Sequence, residues 1–532
     1  MYAIVLASIN AKWIHPSLAL RLLKANLGEL EERCEILEFA LRQPLEQQLE
    51  AILAARPRIL GLSVSIWNHR ATLELLKVLE AASGARPDSS TPLVVLGGPE
   101  VSFLPEKAEI FRHADYVIQG EGEQAFPLLC GTILAGKKPA EKFIHAEPVD
   151  ITSSLFDPAY RLYTDEDLKH KLCYVESSRG CPFGCRFCLS PAESRGKVRE
   201  FPLKPFLANM ESLLHRGVKT FKFLDRSFNV NIARAISIIE FFLKHTDEFS
   251  EIHFEMTPSL FPRELVEAMS RFPPGKLRLE IGIQTLNSNT AAIINRAGNT
   301  EEGPACLRML REKTGALIHA DLIAALPGED FSSFAAGFDR LWLALTAGSL
   351  PAAGFEIQPG ILKLLPGSSL ARVDAQAAEG GAVQPTSLRS RPGTFRQANE
   401  SERKSPSGGT YPYGIHFQAE APYEAVSTAA LPETELDAIK NFARFWERIV
   451  NRNLFPDLAP LLFPPGKPVF YPFMELSHFL LARFGRNWGI DRKDLRKALE
   501  DFCSVLSSAP AGYAGKPLNF FQSLSVHNVG TL

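Results

Sequence analysis

Two long regions of the chain repeat a short apolar run followed by an amphipathic segment, and this alternation limits the folds available. In the first region, the apolar runs are residues 2–8, 34–40, 58–65, 93–97 and 115–119. Leu20, Leu23 and Leu27 between them show helical spacing and precede Gly28, a common helix terminator. Strands that alternate with helices form a parallel sheet with helices on both faces. We expect a doubly wound, Rossmann-like α/β domain over residues 1–140.

The second region repeats the pattern six times, with apolar runs at residues 172–176, 220–224, 252–256, 277–283, 316–325 and 353–358. Amphipathic segments separate the runs, as in residues 233–244, where Ile236, Ile239 and Phe242 share one face. Six such units predict a partial (β/α)6 barrel, in which chemistry takes place at the carboxyl ends of the strands. We assign residues 141–170 to a linker and residues 171–370 to this barrel.

Length and composition favour a soluble protein with several domains. The chain has 532 residues, 45% of them hydrophobic and 22% charged, and a formal net charge of −2. This balance offers no bulk attraction for nucleic acid or a membrane surface. No apolar stretch reaches the roughly 18 residues that span a bilayer, and the run at residues 2–9 lacks a preceding basic segment. We expect a cytoplasmic protein without nucleic-acid or membrane partners.

The last third of the chain has a different pattern. Residues 371–412 are rich in Gly, Ser, Pro, Arg and Glu, which predicts a flexible low-complexity insertion. Helical spacing then returns in Leu436, Ile439, Ala443, Trp446 and Val450. We expect a helical C-terminal domain over residues 413–532, packed on the barrel.

Three of the eight cysteines form a compact array, Cys181-Pro-Phe-Gly-Cys185-Arg-Phe-Cys188, directly after the first run of the second region. Three thiolates within one loop can converge on one metal centre. Zinc normally takes four protein ligands, and no fourth Cys or His stands nearby at zinc-like spacing. An iron-sulfur cluster with one open iron fits better, with an accidental structural triad as the alternative. The other cysteines lie scattered in apolar stretches and favour buried positions.

The array resembles the signature of the radical S-adenosylmethionine superfamily, in which three cysteines hold a 4Fe-4S cluster. The resemblance implies that the fourth iron is chelated by S-adenosylmethionine, which is reductively cleaved to a 5'-deoxyadenosyl radical. It also implies that Phe187 lies against the adenine. Asp225 stands where the family often has Gly-Gly-Glu, and would bind the methionyl amino group.

Polar side chains occur near the ends of the predicted barrel strands. A charged side chain in a buried strand is costly unless it is paired or faces a wet site. Glu280 and Asp321 are therefore candidate catalytic residues, and Glu255 and Gln284 are candidate cofactor-binding residues. The alternative for the first two is a structural ion pair with Arg226, Arg278 or Arg296.

Ligands of a doubly wound sheet bind at the carboxyl ends of its strands. The candidates there are Asn10 and His15, Ser65, Gly97 and Gly98, and Gly120, Glu121 and Gly122. Any one of these loops can also be a simple turn. Five strands with Gly-Gly-Pro-Glu after the fourth and Gly-Glu-Gly-Glu after the fifth resemble the cobalamin-binding domain of many radical S-adenosylmethionine enzymes.

The resemblance has further detail. The Asp-x-His-x-x-Gly motif that supplies a histidine to cobalt in other cobalamin proteins is absent. His15 is either a cobalt ligand or a loop residue, and we expect no histidine on the lower face of cobalt. Residues 362–367 resemble the LKLLPGT stretch of cobalamin-dependent members, while Ala325 replaces a glycine usual before LPGE.

These resemblances imply a cobalamin-dependent radical S-adenosylmethionine enzyme, most commonly a methyltransferase that acts on an unactivated centre. They imply three cofactors, a 4Fe-4S cluster, S-adenosylmethionine and cobalamin, with an electron donor such as flavodoxin or ferredoxin and an unknown substrate. One alternative is a radical enzyme of another type, such as a rearrangement without functional cobalamin. Another is a non-catalytic corrinoid or metal-binding sensor. A tRNA methylthiotransferase is disfavoured by the lack of a second cysteine trio and of a basic C-terminal barrel.

Overall fold

A computed structural model describes residues 2–84, 91–347, 354–371 and 412–508. The predicted insertion at residues 371–412 lies outside the described residues except at its two ends. The final segment of the predicted C-terminal domain, residues 509–532, also lies outside them.

The N-terminal region contains one parallel six-stranded sheet with the order β2-β1-β3-β4-β5-β6. Its strands are β1 (Ile4–Asn10), β2 (Cys34–Ala40), β3 (Ile59–Ser63), β4 (Leu93–Gly97), β5 (Tyr116–Gly120) and β6 (Phe143–Ala146). Its helices are α1 (Leu18–Ala25), α2 (Leu45–Ala55), α3 (His69–Gly84) and α4 (Gly122–Leu134). The predicted doubly wound fold is confirmed, and β6 is an additional strand.

Alternate residues of β1 pack into apolar layers on opposite faces of this sheet. Val5 and Ala7 belong to one cluster, whereas Ile4 and Leu6 belong to the other. Because successive side chains of a strand point to opposite faces, a strand covered on both sides must be apolar at every position. This explains the continuous apolar run of β1.

The second region contains β7 (Cys173–Val175), β8 (Ser178–Arg179), β9 (Arg199–Glu200), β10 (Thr220–Phe223), β11 (Glu251–Met256), β12 (Leu277–Gln284), β13 (Leu317–Ala324) and β14 (Phe355–Ile361). Six of these strands form a parallel sheet in the order β14-β13-β12-β11-β10-β7, while β8 and β9 pair separately. Within the described residues β14 does not pair with β7, so the barrel is partial, as predicted.

Eight helices accompany these strands in the described part of the chain, most of them on the outside of the sheet, while α6 lies beside the cysteine loop. They are α5 (Asp165–His170), α6 (Ser190–Ser194), α7 (Leu203–His215), α8 (Ile232–Leu243), α9 (Arg263–Met269), α10 (Ser288–Ile293), α11 (Glu302–Lys313) and α12 (Phe331–Leu345). Burial alternates strictly along β12 and β13: Leu279 and Ile281 are fully buried, whereas Glu280 and Gly282 are half-buried. The apolar face packs under the helices, and the other face lines the barrel interior.

The C-terminal region is helical, as predicted, and shares its core with the barrel. Its helices are Glu433–Trp446, Ala459–Leu462, Phe470–Phe484 and Arg492–Ser508, preceded by the antiparallel pair β15 (His416–Phe417) and β16 (Ala425–Ser427). The rings of Phe338 and Trp342 on α12 contact Trp446 at centroid distances of 4.8 and 5.6 Å. In the described part of the chain, no helix combines the length and apolarity needed to cross a bilayer.

Buried charges join the N-terminal sheet to the barrel region. Arg21 of α1 lies 2.9 Å from Glu38 and 2.7 Å from Asp167, and all three side chains are almost inaccessible to solvent. A buried arginine needs such partners because an isolated charge is costly to remove from water. The domain boundaries drawn from the sequence remain predictions, since the barrel and the C-terminal helices share a single apolar cluster.

Candidate functional site

A cavity of about 340 Å³ lies where the carboxyl ends of the two large sheets meet. Its walls come from the barrel strands, the cysteine loop and the N-terminal domain, which contributes Ile66, Trp67, Pro99 and Glu100. Leu365 and Pro366 complete one side. The volume is within the range of small-molecule sites, and the position is where parallel sheets of this kind bind ligands.

Cys181, Cys185 and Cys188 all line this cavity and form no disulfide. The loop is held by residues that follow α10. Arg296 donates to the Cys185 sulfur at 3.6 Å and also to the carbonyl of Gly282. Asn295 donates to the carbonyl of Gly184 at 2.9 Å. The three sulfurs are thus presented to one enclosed space.

This donor set fits an iron-sulfur cluster, because cysteine thiolates hold the irons of such clusters. Within the described residues, no group of three His, Cys, Asp or Glu side chains is placed to hold a single metal ion. Burial raises the pKa of the Cys185 thiol, and the Arg296 charge opposes this rise by favouring the thiolate.

Phe187, Glu255 and Gln284 also line the cavity, as predicted for cofactor-binding residues. Phe187 is half-buried at the edge of the barrel core. The side chain of Glu255 forms neither an ion pair nor a hydrogen bond with the described residues. Burial, together with the neighbouring Glu280, raises its pKa. The roles of these three residues remain predictions.

Glu280 and Asp321 face the same cavity. In the described structure, the partners of Glu280 are not the arginines of the alternative prediction. Glu280 lies 3.0 Å from His253 Nε2 and 3.4 Å from Lys222 Nζ. Asp321 lies 3.1 Å from His319 Nε2. Burial raises the pKa of Glu280, but the close approach of His253 and the charge of Lys222 outweigh this and lower it. Both carboxylates are therefore paired and also open to a ligand.

The Asp225 carboxylate is occupied by hydrogen bonds within the protein, and its role as a cofactor-binding residue remains a prediction. It is 1% exposed and accepts hydrogen bonds from the Ser177 amide and from the hydroxyls of Ser177 and Ser178, at 2.7 to 2.8 Å. It fastens the end of β7 and does not line the cavity in the described structure.

The loops after β3 and β4 reach the cavity through the neighbours of the predicted residues. The Ser65 amide donates to Asn68 at 2.7 Å, and the Gly97 carbonyl accepts from Val64 at 2.8 Å. Gly98 has φ +110°, and a Cβ there would lie 2.5 Å from the Val64 carbonyl oxygen. Only glycine fits there, so these three residues shape the loops that present Trp67 and Glu100.

Asn10 and His15 lie outside the described cavity lining. Asn10 donates to Glu38 at 3.2 Å. His15 Nδ1 lies 2.8 Å from the Tyr174 hydroxyl of the barrel. His15 thus forms a contact between the two sheets, and its role as a cofactor ligand remains a prediction.

Glu121 also has partners within the protein, and its role as a cofactor-binding residue remains a prediction. Its carboxylate pairs with Arg179 at 3.2 Å and with Arg199, and it accepts a hydrogen bond from the Val149 amide at 2.8 Å. Gly120 and Gly122 flank it and do not line the described cavity either. The loop after β5 joins the N-terminal domain to the β8–β9 pair. The Glu121 carboxylate is therefore paired with the two arginines of that pair.

Two cavity residues, Arg226 and Glu100, were not predicted as site residues from the sequence. Arg226 lines the cavity close to Glu255 and Cys188, and their charges raise its pKa against the effect of burial. Glu100 accepts from His69 at 2.8 Å and from the Tyr423 hydroxyl at 2.9 Å. The Gly-Gly-Pro-Glu motif contained the signal for Glu100, but nothing in the sequence pairs it with Tyr423.

The stretch at residues 362–367 closes the cavity against the N-terminal domain. Leu365 and Pro366 line it, and Gly367 has φ +88° with its α-carbon against the ring of Phe103. A Cβ at this position would collide with the ring. This explains why the stretch ends in glycine.

Two family models match the chain: the B12 binding domain over residues 4–130 and the radical SAM superfamily over residues 175–341. The chain therefore joins a B12-binding domain to a radical S-adenosylmethionine domain, and the cavity lies between the two. Both parts of the predicted resemblance are confirmed.

Curated and solved relatives agree with this assignment. The uncharacterized methyltransferase PH0819 of Pyrococcus horikoshii is 29% identical over 34% of this chain and 42% of its own length. The chain thus matches less than half of that relative.

Two solved structures share the fold. The radical S-adenosylmethionine methyltransferase TsrM from Kitasatospora setae is 19% identical, with a TM-score of 0.53 over 71% of this chain and 76% of that one. The cobalamin-dependent S-adenosylmethionine radical enzyme OxsB is 15% identical, with a TM-score of 0.59 over 95% of this chain and 75% of that one.

Proposed function

We propose that this chain is a cobalamin-dependent radical S-adenosylmethionine enzyme that methylates an unactivated centre. The observation that carries the proposal is the shared cavity. Cys181, Cys185 and Cys188 open into the same space as the loops at the carboxyl edge of the B12-binding sheet. A methyl group bound to cobalamin at that edge would be delivered next to the cluster.

The three cysteines would hold a 4Fe-4S cluster, and the cavity beside them would hold S-adenosylmethionine. When bound, the cluster supplies one-electron reduction of a sulfonium, and cobalamin supplies methyl transfer. Reactive species of this kind need a site without water. Phe183, Phe187, Met256 and Leu365 give the cavity an apolar lining, while Arg226 and Arg296 balance the thiolate charge.

The cobalamin side would be formed by the exposed indole of Trp67 with Ile66 and Pro99, an apolar surface that a corrin ring can cover. The His15 ring is already bonded to Tyr174. This supports the prediction that no histidine binds the lower face of cobalt.

The electron would come from a separate low-potential donor such as flavodoxin or ferredoxin. The relatives named methyltransferases favour methylation over rearrangement.

The test is anaerobic reconstitution of the full chain with iron, sulfide and hydroxocobalamin, followed by addition of a reductant and S-adenosylmethionine and by mass spectrometry. We expect S-adenosylhomocysteine, up to one equivalent per bound cobalamin, together with 5'-deoxyadenosine. Cys185→Ala should abolish both products. Cys306→Ala, which removes a buried thiol of α11 far from the cavity, should retain them.

Each alternative gives a different result. 5'-deoxyadenosine without S-adenosylhomocysteine would indicate a radical reaction without functional cobalamin. Bound corrinoid with neither product would indicate a sensor.

A further inference from the structure

The barrel interior of this chain is charged, whereas barrel interiors are usually filled with branched apolar side chains. Four adjacent strands carry ionisable residues at alternating positions of their inner faces. They are Glu251, His253 and Glu255 on β11, Arg278 and Glu280 on β12, His319 and Asp321 on β13, and Glu356 on β14. Buried charges are costly unless they are paired, and most of these side chains pair with one another.

Four of these residues form a continuous line. Arg278 Nη1 lies 3.1 Å from Glu356 Oε2, which lies 2.7 Å from His319 Nδ1. His319 Nε2 lies 3.1 Å from Asp321 Oδ1. Arg278 is near the amino end of β12, and Asp321 lines the cavity. The line thus runs from the barrel floor to the ligand space.

Resting on the proposed function, we propose that His319 is a positioning residue that keeps Asp321 ionised and oriented toward the nucleoside of S-adenosylmethionine. Asp321 Oδ1 is directed to His319, which leaves Oδ2 to accept from a ligand hydroxyl group. Carboxylates at the ends of parallel strands bind ribose hydroxyls in this manner. Glu356, which is itself paired with Arg278, contacts the other ring nitrogen of His319 and so fixes the imidazole.

The line also reaches Glu251, which lies 3.2 Å from Arg278 Nε. With every group ionised, the connected side chains hold two cations and three anions. An imidazole suits the middle position because only the protonated ring donates from both nitrogens at once. Burial lowers the pKa of His319, but the hydrogen bonds to Asp321 and Glu356 outweigh this and raise it to about 10.

Other strands also bear on Asp321. Burial, together with Glu280 on β12, raises the pKa of Asp321 above its usual value, and His319 and Lys222 on β10 oppose this rise. Glu255 on β11 adds a further nearby carboxylate, and Glu356 on β14 faces His319. Without the His319 charge, Asp321 takes up a proton at higher pH and loses its acceptor character as the pH falls.

The test is the dissociation constant of S-adenosylmethionine, measured by calorimetry between pH 6 and 9 on the cluster-loaded full chain without reductant. The wild type should bind with little pH dependence. His319→Gln should weaken binding about tenfold at pH 7, the usual loss for one charge-assisted hydrogen bond, and more at pH 6 than at pH 9. Glu356→Gln should shift binding in the same direction by less.

Asp321→Asn distinguishes a positioning role from general damage. It should weaken binding to a similar extent but without the new pH dependence, and the double variant with His319→Gln should lose no more. His245→Gln, a histidine outside the cavity that bonds Glu248, is the matched control and should bind as the wild type does.

The outcomes separate the two proposals. A wild-type chain that loads its cluster but does not bind S-adenosylmethionine contradicts the proposed function itself. Wild-type binding with an unchanged constant and pH profile in His319→Gln overturns only the role of His319. If His319→Gln does not load its cluster, Glu356→Gln decides, and an unchanged profile in that variant overturns the proposal.

Discussion

The Tyr423 hydroxyl donates a hydrogen bond of 2.9 Å to Glu100, so the C-terminal region contacts the B12-binding domain at the rim of the cavity. Tyr423 is fixed in turn by its carbonyl, which accepts from the Leu364 amide at 3.0 Å. Tyr423 therefore connects the N-terminal domain through its hydroxyl and the segment that follows β14 through its backbone carbonyl.

Removing this hydroxyl should loosen the junction. Tyr423→Phe loses one hydrogen bond to a charged group, and we expect a cost of about 1.5–3 kcal/mol. The melting temperature in calorimetry should fall, and Tyr413→Phe, which changes an exposed ring, should melt as the wild type does. Identical melting of Tyr423→Phe and wild type would contradict a stabilising role for this contact.

Gly367→Ala should be more destabilising than Gly466→Ala. Both glycines have positive φ, +88° and +77°, so both variants incur similar backbone strain. Only at Gly367 does the new methyl group collide with Phe103, whereas the space around Gly466 is open. Overpacking typically adds about 1–3 kcal/mol, which the difference between the two melting temperatures should reflect. Equal shifts would mean that the two domains separate easily at this point.

Glu329 should make stability fall as pH rises. Burial raises its pKa to about 7, against the effect of the hydrogen bond from Thr285. Between the unfolded value and about 7, the folded state holds a proton that the unfolded state has released. Stability is therefore lost with increasing pH over this window. Glu329→Gln should reduce the fall in melting temperature between pH 5.5 and 8, whereas exposed Glu106→Gln should not. A pH response of Glu329→Gln that matches the wild type would argue against this assignment.

We expect Trp446→Phe to destabilise the protein less than Trp446→Ala. It is fully buried against Phe338 and Trp342, and its indole nitrogen has no hydrogen-bond partner in the described structure. Trp446→Ala should cost about 3–5 kcal/mol, and Trp446→Phe should cost less because no hydrogen bond is lost. Chemical denaturation monitored by circular dichroism gives the comparison. A larger loss in the Phe variant would indicate a hidden polar role for the indole.

The fold was largely predictable because apolar periodicity records burial directly. The predicted runs for β2 and β4 coincide with the observed strands, and the others differ by a few residues at their ends. The cysteine loop was equally accessible, because its three ligands lie within one short segment.

Side-chain partners were not predictable in the same way. Asp225 and Glu121 stand at strand ends, where ligands bind. The Asp225 carboxylate is nevertheless hydrogen-bonded to Ser177, and the Glu121 carboxylate is paired with Arg179. His319 is paired with Glu356 through strand register, which only the assembled sheet defines. Sequence patterns indicate which face a residue occupies, but the pairing of charges depends on distances between strands.

Glu100 and Tyr423 are 323 positions apart in the chain. During synthesis, the first sheet emerges long before the segment that will complete its binding edge. A truncated product that ends before Tyr423 would lack this contact at the cavity rim. The rim can therefore be completed only after nearly four fifths of the polypeptide has been made.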